Sequence, residues 1–192
     1  MAVFSKQVLI AELLDRTELV KASTQSFLRL TERQLHFRPS AGKWSIAEIF
    51  GHLNIVHNTY IRNILSRIAL APDVRMEHYR SGWLGEWLYG KMMPRPDGTV
   101  FKLSSPKSFH ADPDGLDGHE ELQRFLHQCD ALDDILRHVS TKDMQGIRIP
   151  LSFARVLRLR LGDNLRYIVA HNERHLLQAH RVLQLLPATE AI

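Results

Sequence analysis

Hydrophobic residues recur at helical spacing in four long segments of the chain. These segments cover residues 5 to about 35, 45 to about 71, 118 to 138 and 161 to 186. Apolar positions every three or four residues give a helix one face that can be buried against its neighbours. Since strand-like alternation is almost absent, the pattern predicts an all-α fold, a four-helix bundle that forms a single domain over residues 1–192.

The second segment has a defined start. Ser45 is followed three residues later by Glu48, the spacing of a capping box, in which each side chain bonds the backbone amide of the other residue. Glu48 also lies four residues before His52, so the two side chains are neighbours on one side of the helix. Glu48 is therefore either a helix cap or a group that supports a ligand at His52. The capping role is sufficient to explain a glutamate at this position.

A loop-rich insertion is predicted between the second and third long helices, over residues 72–117. Aromatic residues between glycines at 82–90 indicate one short helix, and the rest of the insertion is rich in proline and glycine. Long loops in compact domains often serve as lids or binding segments. The insertion therefore either contributes to a site or covers one end of the bundle.

Composition narrows the classes of protein that fit this pattern. Hydrophobic residues make up 44% of the chain, but none of its apolar runs is long enough to cross a membrane. Cys129 is the only cysteine, so the chain cannot form an internal disulfide. The N-terminus lacks the pattern of a secretory signal, and together these features lead us to expect a cytoplasmic protein.

The net charge of +4 at pH 7 leaves nucleic acid open as a partner. The basic residues are scattered, however, and no nucleic-acid-binding motif accompanies them. We therefore expect a small-molecule substrate rather than a nucleic acid or a membrane surface.

The positions of a few of the 11 histidines suggest chemistry. His171 and His175 are four residues apart in the fourth helix, which places their imidazoles one turn apart on the same side. His52 borders the apolar face of the second helix and could supply a third ligand from a facing helix. Three histidines with an open coordination position are typical of catalytic metal sites. A histidine pair of this spacing can also occur without any ligand, and the spacing alone leaves that alternative open.

Two motifs resemble those of the DinB-like superfamily. Residues 44–53 read WSIAEIFGHL and are similar to its pattern WSxxExxxHL, and residues 171–178 read HNERHLLQ and are similar to HxxxHxxQ. The resemblance implies a four-helix bundle that binds a divalent metal, commonly zinc or nickel, through His52, His171 and His175. It also implies a homodimer.

The same resemblance implies two kinds of activity, because the family includes thiol S-transferases and proteins described as metal-dependent hydrolases. The three-histidine centre would activate either water or a low-molecular-weight thiol, which would then be a second cofactor. The alternative is a metal-binding bundle without turnover, acting as a binding or stress-response module. The sequence identifies no general base.

Several neighbouring residues have two interpretations each. Gln178 either orients a ligand or is a surface amide, and Arg174 either holds an anionic substrate or is an ordinary surface charge. His57 is expected to be a semi-buried histidine with a hydrogen-bond partner, and His180 to face solvent. Cys129 falls in the apolar stripe of the third helix and is expected to be a buried structural thiol.

Overall fold

The computed structural model describes residues 1–95, 99–101 and 105–187, apart from the side chain of Arg155. Six α-helices span these residues: α1 (Lys6–Phe27), α2 (Glu32–Leu35), α3 (Ile46–Ile68), α4 (Trp83–Met92), α5 (Gly118–His138) and α6 (Leu161–Leu183). The four long helices form the bundle, in which α1 and α3 each pack against both α5 and α6. The prediction of an all-α four-helix bundle is thus confirmed. None of the described helices combines the length and the hydropathy that a membrane span requires.

The hydrophobic core is divided in two along α3 and α6. One cluster includes Val56 and Tyr60 of α3 with Ile168 of α6, and the other includes Phe50 of α3 with Ala179 of α6. The α6 segment that carries the histidine pair lies between the parts of the helix that enter these two clusters. The two apolar clusters hold α3 against α6 on either side of this segment, where polar side chains lie between the helices.

The first predicted helix, residues 5 to 35, is wrong in its length because α1 ends at Phe27. Thr31 caps the next helix, α2: its side chain accepts a hydrogen bond from the backbone N–H of Gln34, and the Gln34 side chain accepts one from the backbone N–H of Thr31. This capping box satisfies backbone N–H groups at the start of α2, and so favours a new helix over the continuation of α1. The other long helices match their predicted bounds to within about three residues.

Two small antiparallel sheets were not expected from the sequence. Strand β1 (Val3–Ser5) pairs with β2 (His78–Arg80), and β3 (Arg148–Leu151) pairs with β4 (Ala154–Arg160). The second pair forms a hairpin where the sequence suggested only a linker. Its turn is held at the bundle because the backbone N–H and the hydroxyl of Ser152 both donate to the Tyr60 hydroxyl, at 3.2 and 3.1 Å.

The insertion at 72–117 does more than cover the bundle, although its residues 96–98 and 102–104 lie outside the described residues. The short helix predicted at 82–90 is α4, which packs against α6. The two helices approach each other so closely that a β-carbon at Gly85 would lie 2.1 Å from Cγ of Asp163. The side chain of Asp163 also accepts hydrogen bonds from the Gly82 amide and the Tyr79 hydroxyl. These contacts hold the start of α4 against the start of α6, and near the end of α4 Arg174 of α6 donates a hydrogen bond to the Lys91 carbonyl, so that α4 lies alongside the segment of α6 that carries the histidine pair.

Candidate metal centre

The start of α3 sets the position of His52. The Ser45 hydroxyl accepts a hydrogen bond from the Glu48 amide at 3.2 Å, and the Glu48 carboxylate accepts one from the Ser45 amide at 2.9 Å. The same carboxylate receives two hydrogen bonds from Arg38, at 2.7 and 2.6 Å. Glu48 thus acts as the helix cap, and its carboxylate is occupied by partners other than His52.

Three imidazoles from two helices meet in the interior. The ring centroids of His171 and His175 are 4.5 Å apart, and that of His52 lies 5.4 and 4.7 Å from them respectively. One ring nitrogen from each lies within 4.8 Å of the others, close enough for a single metal ion. The side chains are buried, with His52 only 3% exposed and His175 9%. The structure therefore brings together the three residues that the sequence singled out.

Hydrogen bonds orient two of the three rings. Nδ1 of His52 donates to the backbone carbonyl of Phe109 at 2.8 Å, and Nδ1 of His175 donates to Oε1 of Gln178 at 3.0 Å. Each bond places the ring proton on Nδ1 and leaves Nε2 with a free lone pair, as in many protein metal sites. Gln178 is thus a group that orients a candidate ligand rather than a free surface amide.

The third ring carries an unsatisfied nitrogen. Nδ1 of His171 is buried and has no hydrogen-bond partner among the described residues. Buried polar atoms without a partner are rare in native proteins, and an ion or water commonly explains them. The donor set also suits a divalent transition metal, since zinc and nickel both accept imidazole nitrogen. The residues present therefore fit the metal site that the sequence implied.

The surroundings keep the imidazoles neutral. Burial, together with the nearby His52 and Arg174, lowers the pKa of His175 to about 3. Burial likewise lowers the pKa of His171 well below its ordinary value and that of His52 to a smaller extent. Because only the neutral imidazole can bind a metal, these environments favour the form that binds.

The histidines open onto a cavity of about 560 Å³. Trp44 forms one wall. Its ring is stacked on that of His175, with 6.2 Å between the centroids, and is tilted against that of His52, with 5.0 Å between the centroids. The other walls come from α4, α6, the β3–β4 hairpin and the loop that precedes α5. They include Trp87, Leu88, Phe109, Phe153 and Tyr167. The volume is typical of a small-molecule site. A metal held by the three histidines would therefore keep coordination positions open to a ligand in this cavity.

Two other histidines lie outside the cluster, as expected, but in more buried surroundings than the sequence suggested. His57 is fully buried and hydrogen-bonds through Nε2 to Oδ1 of Asn172 at 2.7 Å, while burial lowers its pKa to about 4. The prediction that His180 faces solvent is wrong. Its ring is half-buried, bonds the Ser23 hydroxyl at 2.7 Å and packs against Phe27, because α1 covers that side of α6.

Sequence reasoning missed the groups that complete the site. The Phe109 carbonyl is a backbone atom, so no residue type indicates its role. Ser152 and Phe153 reach the cavity only because the hairpin folds back onto α3. The one available signal was the run of aromatic residues in α4, of which Trp87 lines the cavity while Trp83 is 73% exposed.

A second group of potential ligands lies at the start of α5. Glu32, Asp117 and His119 bring ligand atoms within 4.8 Å of one another. The Glu32 carboxylate already accepts hydrogen bonds from the Gly118 and His119 amides, at 2.9 and 3.0 Å. Asp117 caps α5 by accepting a hydrogen bond from the Glu120 amide at 2.8 Å. The Glu32 carboxylate joins α2 to α5 and the Asp117 carboxylate caps α5, so this group is less suited to a metal than the three histidines.

Comparison with known proteins agrees with this geometry. The chain matches no curated protein and no solved structure. A family model, however, matches residues 16–179, a range that includes all three histidines and Gln178. The match covers most of the chain, including all of α3 and α5 and most of α6, and it begins within α1. The chain therefore belongs to the DinB superfamily.

Proposed function

We propose that the protein is a metal-dependent enzyme whose three-histidine centre activates a low-molecular-weight thiol for transfer to an electrophilic substrate. The observation that carries the proposal is the opening of three buried, neutral imidazoles onto a cavity of about 560 Å³. A structural site would use four protein ligands and be closed to solvent. Here three ligands face a space that can hold a substrate.

The ligand set determines the chemistry that a bound ion would supply. Three neutral imidazoles leave the charge of a divalent ion uncompensated, so zinc or nickel would lower the pKa of a bound thiol or water toward neutrality. The protein's own residues hold and orient this centre. The Phe109 carbonyl and Gln178 fix two of the rings, while Trp44 covers the histidines on one side.

The composition of the cavity wall favours thiol activation over hydrolysis. Among the described residues that line the cavity, none is aspartate or glutamate. A general base is most often a histidine or a carboxylate, and the one histidine of the described wall outside the cluster, His110, donates through Nε2 to the Ser105 carbonyl at 3.1 Å. A thiol depends less on such a base, because it loses its proton far more readily than water does. Hydrolysis remains the second candidate, supported by the same open coordination position, since water needs no larger space than a thiol.

The first test is metal content. Mass spectrometry of protein purified without a histidine tag is expected to find about one zinc or nickel ion per chain. His52→Ala and His175→Ala should each lose it, whereas His180→Ala, which changes a histidine on the same helix outside the cavity, should keep it. Failure of the wild-type protein to bind either metal, even when zinc and nickel are supplied, would overturn the proposal.

The second test separates the activities. The metal-loaded protein is incubated with an electrophile such as 1-chloro-2,4-dinitrobenzene and a panel of low-molecular-weight thiols, and in parallel with ester and amide substrates. We expect thiol conjugation that depends on the metal and disappears in His175→Ala. Hydrolysis without conjugation would favour the second candidate. Metal binding with neither activity would support a binding module instead.

A further inference from the structure

Arg174 lies in the cavity wall beside the candidate metal ligands. It falls between His171 and His175 in α6 and lines the cavity together with both. Its side chain is half-buried, and its guanidinium donates hydrogen bonds to the backbone carbonyls of Lys91 and Phe101. The sequence left two interpretations of Arg174, a surface charge or a group for an anionic substrate, and its position excludes an ordinary solvated surface charge.

The charge of Arg174 is not matched by any described carboxylate. Its neighbour Glu173 is engaged by Arg16, which donates two hydrogen bonds to it at 2.7 and 2.6 Å. Arg166, earlier on the same helix, is paired with Glu86. No described carboxylate lies within ion-pair distance of Arg174, which has only the two neutral carbonyls. A half-buried cation without a counter-ion is costly, so the arrangement favours binding of an anion.

The guanidinium has the geometry for such an anion. An arginine carries five N–H donors, and the two carbonyl bonds of Arg174 leave others free. Two N–H groups can bind a planar carboxylate through both of its oxygens. The remaining charged side chain in the described wall is Lys43, which is exposed. The described wall therefore contains positive groups without acidic ones, next to the apolar surfaces of Trp87, Phe153 and Tyr167.

We propose that the substrate of this site carries a carboxylate on an apolar body, and that Arg174 binds the carboxylate while the reacting atom faces the three histidines. This inference rests on the proposed function to the extent that the cavity is the substrate site. Arg174 is a substrate-binding residue in this account, and it selects acids over their neutral analogues.

The test compares two probes of the same shape and different charge. Phenylacetate and phenylacetamide are titrated into the protein while the fluorescence of Trp44 and Trp87, which line the cavity, reports binding. Wild-type protein should bind phenylacetate more tightly than the amide. Arg174→Gln should weaken phenylacetate binding about tenfold or more, the usual effect of losing a hydrogen bond to a charged group, and should change amide binding little.

Two further variants control for charge and folding. Arg137→Gln removes an exposed positive charge at the end of α5, away from the cavity, and should leave both affinities unchanged. Arg174→Lys keeps the charge without the planar fork and should retain part of the preference for phenylacetate. The wild-type comparison of the two probes needs no variant, so misfolding of Arg174→Gln would not remove the test.

The titrations are performed on metal-free and zinc-loaded protein. Preference for phenylacetate in the metal-free protein, lost in Arg174→Gln, would support the inference even if no zinc bound and the metal proposal failed. If Arg174→Gln weakened the binding of both probes equally, Arg174 would only stabilise the segment between Lys91 and Phe101. That result would overturn the inference. A preference that requires zinc and survives Arg174→Gln, no preference at all, or no binding of phenylacetate would also overturn it.

Discussion

Zinc is expected to raise the melting temperature of the protein by several degrees through the three histidines. An ion that binds only the folded state, at a free concentration 100 times its dissociation constant, stabilises that state by about 2.7 kcal/mol. For a chain of 192 residues, an unfolding entropy of about 2.1 cal/mol/K per residue gives about 0.4 kcal/mol per degree. The two values together predict an increase of about 7 °C.

The structure explains why the ion should prefer the folded state. Two ligands, His171 and His175, are close in sequence, but the third, His52, lies on a different helix and meets them only when α3 packs against α6. Residual binding of zinc to the histidines of the unfolded chain would reduce the increase. The folded site needs no rearrangement, because two of its rings are already oriented by hydrogen bonds.

Differential scanning calorimetry of tag-free, chelator-treated protein measures this effect. The melting temperature of each variant is compared with and without zinc, so that any loss of stability from the substitution itself cancels. The shift should disappear in His52→Ala and His175→Ala and persist in His180→Ala. A shift of full size in both of the first two variants would refute the reasoning, since the ion would then bind elsewhere, for example near Glu32 and His119.

Three further outcomes are expected. Gln178→Ala should reduce zinc affinity about 10- to 100-fold, measured by competition with a chelator, because Nδ1 of His175 loses its partner. The pKa of His57 is about 4 in the fold and about 6.5 when unfolded, so the unfolded state takes up the proton first as pH falls. Urea unfolding of the metal-free protein should therefore lose stability between pH 6.5 and 4, with up to about 3 kcal/mol from His57 in addition to the loss from the other buried histidines, and comparison with His57→Gln isolates the part from His57. Glu48→Ala should lower the melting temperature by weakening the cap at Ser45, but should leave the zinc-induced shift unchanged.

Helical periodicity was sufficient to predict the bundle from the sequence. The long helices carry apolar residues on one face, so spacing alone indicates both their number and their approximate bounds. The break after Phe27 was missed although the Thr31 and Gln34 pair matches a capping box. The β3–β4 hairpin was missed because β3 has only four residues and β4 exposes apolar residues, with Val156 92% exposed. Its stability comes from tertiary contacts such as that between Ser152 and Tyr60, which no local pattern reveals.

The candidate site was predictable only as far as side chains on regular helices could indicate it. His171 and His175 share a face by helical geometry, whereas the meeting of His52 with them depends on how two helices pack. The position of His52 on its helix made it a candidate third ligand, and the resemblance to a family identified it as one. The Phe109 carbonyl could not be predicted at all, because a backbone oxygen comes with every residue and its position depends on a long loop.

The charge balance of the cavity connects the proposed chemistry with the proposed substrate. Neutral imidazoles would leave a bound divalent ion with its full charge, Arg174 adds another positive charge, and the described wall has no carboxylate to offset either. In a partly enclosed space such charges interact more strongly than they do in water. A thiolate and a carboxylate are both anions, so the same field that would favour ionisation of a thiol would also favour an acidic substrate over a neutral or cationic one. Thiol activation and acid selectivity would then be two consequences of one feature, a wall built without acidic side chains around a positive centre.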